Sequence, residues 1–277
     1  MRPSLWLAVA LALTLQQSPV VTAPSTWPAP VPVGSKVWIG HYREYEDFLR
    51  TVVIARLEPA KLGKIAAAKH AFFQPDGLAA SGALRTLRPG LYKGYFESYR
   101  SEVAAYKLDR LLQLDMVPPA VERSYNGDNV SLQLWSENTR LLKDVREQKI
   151  AFPATLEMLR QFSRQKVFDD LVANIDADAT DISFDPAWNI IKFDHSRCFT
   201  KIMMQPFEVG VAGRGVSRID RAFFDRIKAL DKATLQAEIG KYVEGEAIDV
   251  LLVRRNKIVK QFETLAKQKG DAAVFLP

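Results

Sequence analysis

Two acidic groupings hold most of the residues able to do chemistry. The first is Asn174-Ile175-Asp176-Ala177-Asp178-Ala179-Thr180-Asp181, directly after a long stretch with helical apolar spacing. The second is Phe193-Asp194-His195, at the end of a short apolar run. Several carboxylates and an Asn at a loop suit a hard cation such as Mg²⁺ or Ca²⁺, which takes oxygen ligands. A helix, a polar loop, a short hairpin and then an Asp is a compact way to bring such carboxylates to one point. A calcium loop of the EF-hand kind starting at Asp176 does not fit. Its sixth position is Asp181 rather than Gly, and its twelfth is Ala187 rather than Glu. On spacing alone, a solvated Asp-rich loop is the plainer reading. His195 reads as a buried, satisfied histidine, and Cys198 as a small buried hydrophobe.

The elements that must position these residues follow from apolar periodicity. Tyr42, Tyr45, Phe48 and Leu49 share one helical face. Thr51–Leu57, Ala71–Gln74 and Ala83–Leu87 read as strands, parted by Asp76-Gly77 and Ser81-Gly82 turn signals. Glu97–Leu114 has helical spacing and stops at Pro118-Pro119. Ala120–Tyr125 and Val130–Trp135 read as a hairpin across Asn126-Gly127. From Ala154 the pattern is helical through Leu171; a hairpin, Ile182–Phe184 against Asn189–Phe193, then interrupts it. Asp220–Lys269 reads as two or three helices. Strands first and helices after imply an α+β fold with a seam just after Trp135.

Composition narrows the class further. At 277 residues, with 48% hydrophobic and 25% charged residues, the chain lies near globular averages, which excludes collagen, coiled coil and a multi-span membrane protein. A single cysteine excludes a disulfide scaffold. The net charge of +6 is spread without a Lys/Arg block, so no nucleic-acid partner is expected. Arg2, the short apolar run Leu5–Leu15 and the small residues Val21-Thr22-Ala23 are the parts of a secretory signal peptide over 1–23. Pro24, Pro28, Pro30 and Pro32 make 24–35 an extended linker. The chain is therefore expected to be exported, periplasmic or secreted, and not integral to a membrane after cleavage.

The blocks Glu97-Ser98-Tyr99-Arg100-Ser101-Glu102, Met116-Val117-Pro118-Pro119, Val121-Glu122-Arg123, Phe168-Asp169-Asp170-Leu171, Asn174-Ile175-Asp176 and Phe193-Asp194-His195-Ser196-Arg197 occur in this order. In that order they resemble a bacterial branch of atypical kinase-like proteins. That branch is related to the phosphatidylinositol 3-/4-kinases, HipA and the secretory-pathway, Fam20-type kinases. The resemblance spans roughly Trp38 to Thr200. It implies a two-lobed kinase-like fold, with a β-rich lobe over 36–137 and a mostly helical lobe over 138–277.

The resemblance also implies roles. Asp176 would orient or deprotonate the acceptor hydroxyl. Asp194, with Asp181, would hold Mg²⁺ or Mn²⁺. Glu102 would pair with the basic residue of the third strand, here Arg85. Gln133 to Glu137 would be the hinge beside the adenine, with Gln133 and Trp135 as its nucleotide-binding residues. The implied activity is transfer of a phosphoryl group from ATP to a protein, sugar or lipid acceptor; the alternative is a pseudokinase that binds nucleotide or protein without turnover. Four positions depart from the pattern. Ala177 replaces an Arg, Thr180 a Gly, Asp181 an Asn, and Arg85 the strand lysine. The nucleotide-covering loop, Leu62-Gly63-Lys64-Ile65-Ala66-Ala67, keeps one glycine where two are usual. Asp176, Asp181 and Asp194 are expected to converge on one cleft that Glu102 faces.

Overall fold

The computed structural model describes residues 36–60, 68–75, 77–175, 177–201 and 215–277. The expected signal peptide, the linker, the nucleotide-covering loop 62–67 and Asp176 lie outside the described residues.

Helix α1 (Tyr42–Thr51) turns Tyr45 and Leu49 inward, on the face its spacing marks out. Strands β1 (Ile54–Pro59), β2 (Ala68–Phe73) and β3 (Ser81–Arg85) follow. A hairpin, β4 (Gly90–Tyr92) and β5 (Tyr95–Glu97), precedes helix α2 (Tyr99–Leu111). Strands β6 (Ala120–Tyr125) and β7 (Asp128–Leu134) then complete a five-stranded antiparallel sheet of order β1-β2-β3-β7-β6. Asn126 and Gly127, with φ of 51° and 85°, make the two-residue β6–β7 turn that the Asn-Gly pair favours.

Period-2 alternation divides β3 between two surfaces. Leu84 packs into a core with Trp38, Tyr45, Leu49, Val130 and Leu132, whereas Ala83 and Arg85 line a cleft on the other side. Gly82 is required there: a Cβ would meet the Gln133 carbonyl oxygen and Phe73 Cζ, each at 2.8 Å.

The remainder is mostly helical. It runs β8 (Arg140–Leu141), α3 (Leu142–Glu147), α4 (Leu156–Val172), β9 (Ile182–Phe184) and β10 (Ile190–Lys192). Then come β11 (Ile219–Asp220), α5 (Arg221–Ala229), α6 (Lys232–Ile239), α7 (Gly245–Lys269), α8 (Asp271–Val274) and β12 (Phe275–Leu276). Strands β10, β9 and β8 form a small sheet, and β11 pairs parallel with β12. A second core gathers Phe168, Leu171, Phe184, Phe223, Leu251 and Phe262. Helix α2 joins the two parts: its Ala104, Tyr106 and Leu108 pack into this second core, and the helix also lies against β6 and β7. No helix among the described residues is long and apolar enough to cross a membrane.

Candidate active site

Arg85 closes β3 and is 5% exposed. Its Nε lies 2.8 Å from Glu102 Oε1, and its Nη2 lies 3.2 Å from Asp194 Oδ1. Local sequence accounts for both ends of this bridge. Ser98 caps α2 by accepting a bond from the Arg100 N–H, which fixes where the helix starts and sets Glu102 one turn in. The planar guanidinium offers donors in a fork, so one side chain serves two carboxylates at once.

Asp194 follows β10 in the left-handed region, with φ of 63°, a conformation costly for a residue with a Cβ. The Ser196 hydroxyl also donates to its Oδ1, at 3.2 Å. Glu102 Oε1 accepts the His195 backbone N–H at 3.0 Å, so this carboxylate fastens both Arg85 and the segment after Asp194. Asp181 is drawn in by its backbone, whose carbonyl accepts from the Phe193 N–H at 3.1 Å, and its Oδ2 accepts from the Asp178 N–H.

Two buried carboxylates thus share one guanidinium, and a third, Asp181, stands near enough to act on Arg85 and to be acted on by Asp194. Burial and the neighbouring Asp194 push Asp181 up to about 7. Burial raises Asp194 too, and Glu102 adds to that, outweighing the pull of Arg85. For Glu102 the balance tips the other way: against burial, Arg85 and His195 hold it below its ordinary value. A site with surplus carboxylate charge that is being driven toward protonation is one that a divalent cation would satisfy. Asp181 and Asp194 are the two acids with raised pKa, and they fit such an ion as oxygen donors. Among the described residues no group of three or more His, Cys, Asp or Glu side chains is arranged to hold a metal; Asp176 stands outside that set.

Of the bridge, Arg85 lines a cleft whose walls also include Ala83, Gln133, Trp135, Ser183 and Ile191. Three polar side-chain atoms of its lining residues are buried with no hydrogen-bond partner among the described residues: Arg85 Nη1, Ser136 Oγ and Ser183 Oγ. Buried polar atoms are normally paired, so three in one cleft mark a place for a polar ligand. Gln133 Nε2 donates to the Pro118 carbonyl at 3.3 Å, and the Leu134 and Trp135 amides donate to Pro119 and Ser81 carbonyls. Trp135 stacks on His70 with ring centroids 3.8 Å apart and planes 13° apart, giving the cleft a flat aromatic edge. Larger cavities lie elsewhere; chemistry, not size, distinguishes this one.

The structure therefore brings together Arg85, Glu102, Asp181 and Asp194, with Gln133 and Trp135 lining the same cleft as Arg85. Ser136 falls inside the expected hinge, whereas Ser183 is not legible in the sequence, because a lone hydroxyl carries no spacing signal. Nor was the pairing of fully buried Lys192 with Asp169. Asp169 also accepts from Asn174 Nδ2 at 3.0 Å, which anchors the start of the loop that contains Asp176. His195 is buried, as its place suggests; among the described residues neither ring nitrogen has a close hydrogen-bond partner, and Glu102 Oε2 is 3.8 Å from Nδ1. Burial lifts the Cys198 thiol well above its ordinary range, which removes it as a nucleophile.

No protein-family model and no curated protein sequence matches the chain. Among solved structures it is similar to hydra Fam20 with sugar, with a TM-score of 0.66 at 14% identity over 85% of this chain and 92% of that one. It is similar also to the Golgi casein kinase with Mn/ADP bound, at 0.62 and 13% over 85% and 78%. The Helicobacter pylori proinflammatory kinase CtkA gives 0.52 and 14% over 77% and 96%. At such identities the likeness establishes the fold, which is two-lobed, α+β and kinase-like, of the Fam20 type.

Proposed function

We propose that this protein is a phosphotransferase that binds ATP with a divalent cation in the Arg85–Trp135 cleft and passes the γ-phosphoryl group to an acceptor hydroxyl. The observation that carries the reading is the conjunction of surplus buried carboxylate charge with three unpartnered polar atoms around one cleft. The structure with Mn/ADP bound among the similar folds supports it. A fold by itself does not fix an activity, so the site carries the argument.

In this reading the base lies near Trp135 and Gln133, with the Ser136 and Ser183 hydroxyls as its hydrogen-bond partners. Arg85 Nη1, unpartnered and lining the cleft, donates to phosphate while Nε and Nη2 keep Glu102 and Asp194 in place. Asp181 and Asp194 would hold Mg²⁺ or Mn²⁺, which would neutralise phosphate charge. Asp176, by its position in the sequence pattern, takes the acceptor's proton as the oxygen bonds to phosphorus and ADP leaves. Export by the 1–23 leader and division of the chain into lobes at 137 belong to the same proposal, on the strength of the sequence.

A second reading, binding without turnover, is favoured by one feature. Arg85 binds Asp194 directly, and an arginine fork holds a carboxylate more firmly than a lysine would. Melting temperature with and without ATP and Mn²⁺ tests nucleotide binding, since a ligand of the native state raises stability by mass action. Release of γ-labelled phosphate then separates the two readings. A rise in melting temperature with turnover supports the first; a rise with no turnover supports the second; no rise rejects both.

A further inference from the structure

Bases are told apart by the order of donors and acceptors along their edges, and only groups of fixed polarity can read that order. Backbone amides are such groups, but two that border this cleft are already used. The Leu134 N–H donates to the Pro119 carbonyl at 2.8 Å, and the Trp135 N–H to the Ser81 carbonyl at 3.2 Å. The buried Gln133 side chain turns its Nε2 to the Pro118 carbonyl at 3.3 Å. The Ser136 carbonyl accepts from Thr139 Oγ1 at 3.4 Å. Three buried side-chain atoms of the lining have no partner among the described residues. One is the cationic Arg85 Nη1; the other two are hydroxyl oxygens, Ser136 Oγ and Ser183 Oγ. Thr139 adds a third hydroxyl to the wall.

A hydroxyl is one donor and two acceptor sites on a rotor, so it takes whichever role its partner leaves open. Adenine presents an amine donor beside a ring-nitrogen acceptor. Guanine presents the reverse, a carbonyl acceptor beside an N–H donor. Ser136 and Ser183 can serve either order by turning the hydroxyl alone. Ser183 is the middle residue of β9, paired with Ile191 of β10 and Leu141 of β8, so its backbone is held while the hydroxyl turns. Trp135 does not discriminate either, since every base has a face to stack on an aromatic ring. A site rejects the wrong base when that base leaves a buried group unpaired. Neither purine does so to these two hydroxyls.

We propose that the cleft accepts ATP and GTP alike, with Ser136 and Ser183 meeting the base edge whatever its polarity; this rests on the nucleotide reading. Isothermal titration of ATP and of GTP, each with Mn²⁺, into the purified full-length protein tests it. The two dissociation constants should agree within about fivefold, the worth of one neutral hydrogen bond. Ser136→Ala/Ser183→Ala should weaken both nucleotides at least about tenfold, because two such bonds are lost. An unpartnered buried hydroxyl stabilises nothing in the nucleotide-free protein. The melting temperature of the double variant without nucleotide should therefore equal or exceed that of the wild type. Weaker binding without weaker folding is not what a packing role would give. If ATP binds and GTP differs from it by more than about fivefold, the proposal is overturned and the nucleotide reading stands. A double variant that keeps wild-type affinity for either nucleotide, or that melts below the wild type, also overturns it. Binding of neither nucleotide by the wild type rejects the nucleotide reading and this proposal with it.

Discussion

Replacing Arg85 by Met removes the cation that pairs with two buried acids, Glu102 and Asp194, while keeping most of the volume. Glu102 and Asp194 would then lose the partners now at 2.8 and 3.2 Å. Removing one member of a buried ion pair costs about 3–5 kcal/mol, because the remaining charge is left uncompensated. For a chain of this length that is roughly 10 °C or more in melting temperature. The loss should depend on pH, and its sign follows from the present shifts. In the wild type Glu102 is held below its ordinary 4.5, so its contribution is in place above that value and is lost as pH falls through the folded one. Without Arg85, burial is opposed only by the smaller contributions of His195 and Ser196, and both carboxyls should rise. A raised carboxyl stabilises below its unfolded value and loses that contribution as pH rises through the folded one. Wild type and variant should therefore diverge from about pH 5 to about pH 8. Thermal denaturation followed by circular dichroism at the two ends of that range reads the effect, and Arg85→Met/Glu102→Gln should recover at least half of it. A difference below about 1 kcal/mol at the alkaline end, or no recovery in the double variant, would refute the argument.

Asp181→Asn should raise the melting temperature of the metal-free protein above about pH 7, since the wild-type carboxyl, pushed up to about 7, loses its contribution as pH rises through that value; with Mn²⁺ present the order should reverse, and equal curves in both conditions would count against a cation at Asp181. Lys192→Met should cost about 3–5 kcal/mol by stranding Asp169, and Asp169→Asn in the same chain should recover part of it in a denaturant titration. Gly82→Ala should cost about 1–3 kcal/mol, because the new Cβ meets the Gln133 carbonyl at 2.8 Å; an unchanged unfolding midpoint would contradict that packing.

How much of this was readable from the chain depends on range. Helix α2, the β6–β7 hairpin and the β9–β10 hairpin declare themselves through local periodicity and an Asn-Gly turn. Hairpin β4–β5 does not, because its strands are three residues each and too short to show an alternation. The two-residue strands β8, β11 and β12 are too short for any pattern, and β11 pairs with a partner more than fifty residues away. In the site, Arg85 and Glu102 were legible because one ends a strand and the other enters the helix that follows. The left-handed backbone at Asp194 and the orphan hydroxyls of Ser136 and Ser183 arise from tertiary packing, which spacing does not encode.

The account turns on whether the cleft binds nucleotide with a metal. Isothermal titration of ATP with Mn²⁺ into the wild type and into Asp194→Asn tests this most directly. The expected result is saturable one-to-one binding by the wild type, weakened at least about tenfold in the variant through loss of a charged metal ligand. Absence of binding by the wild type, or equal affinity in Asp194→Asn, would contradict it.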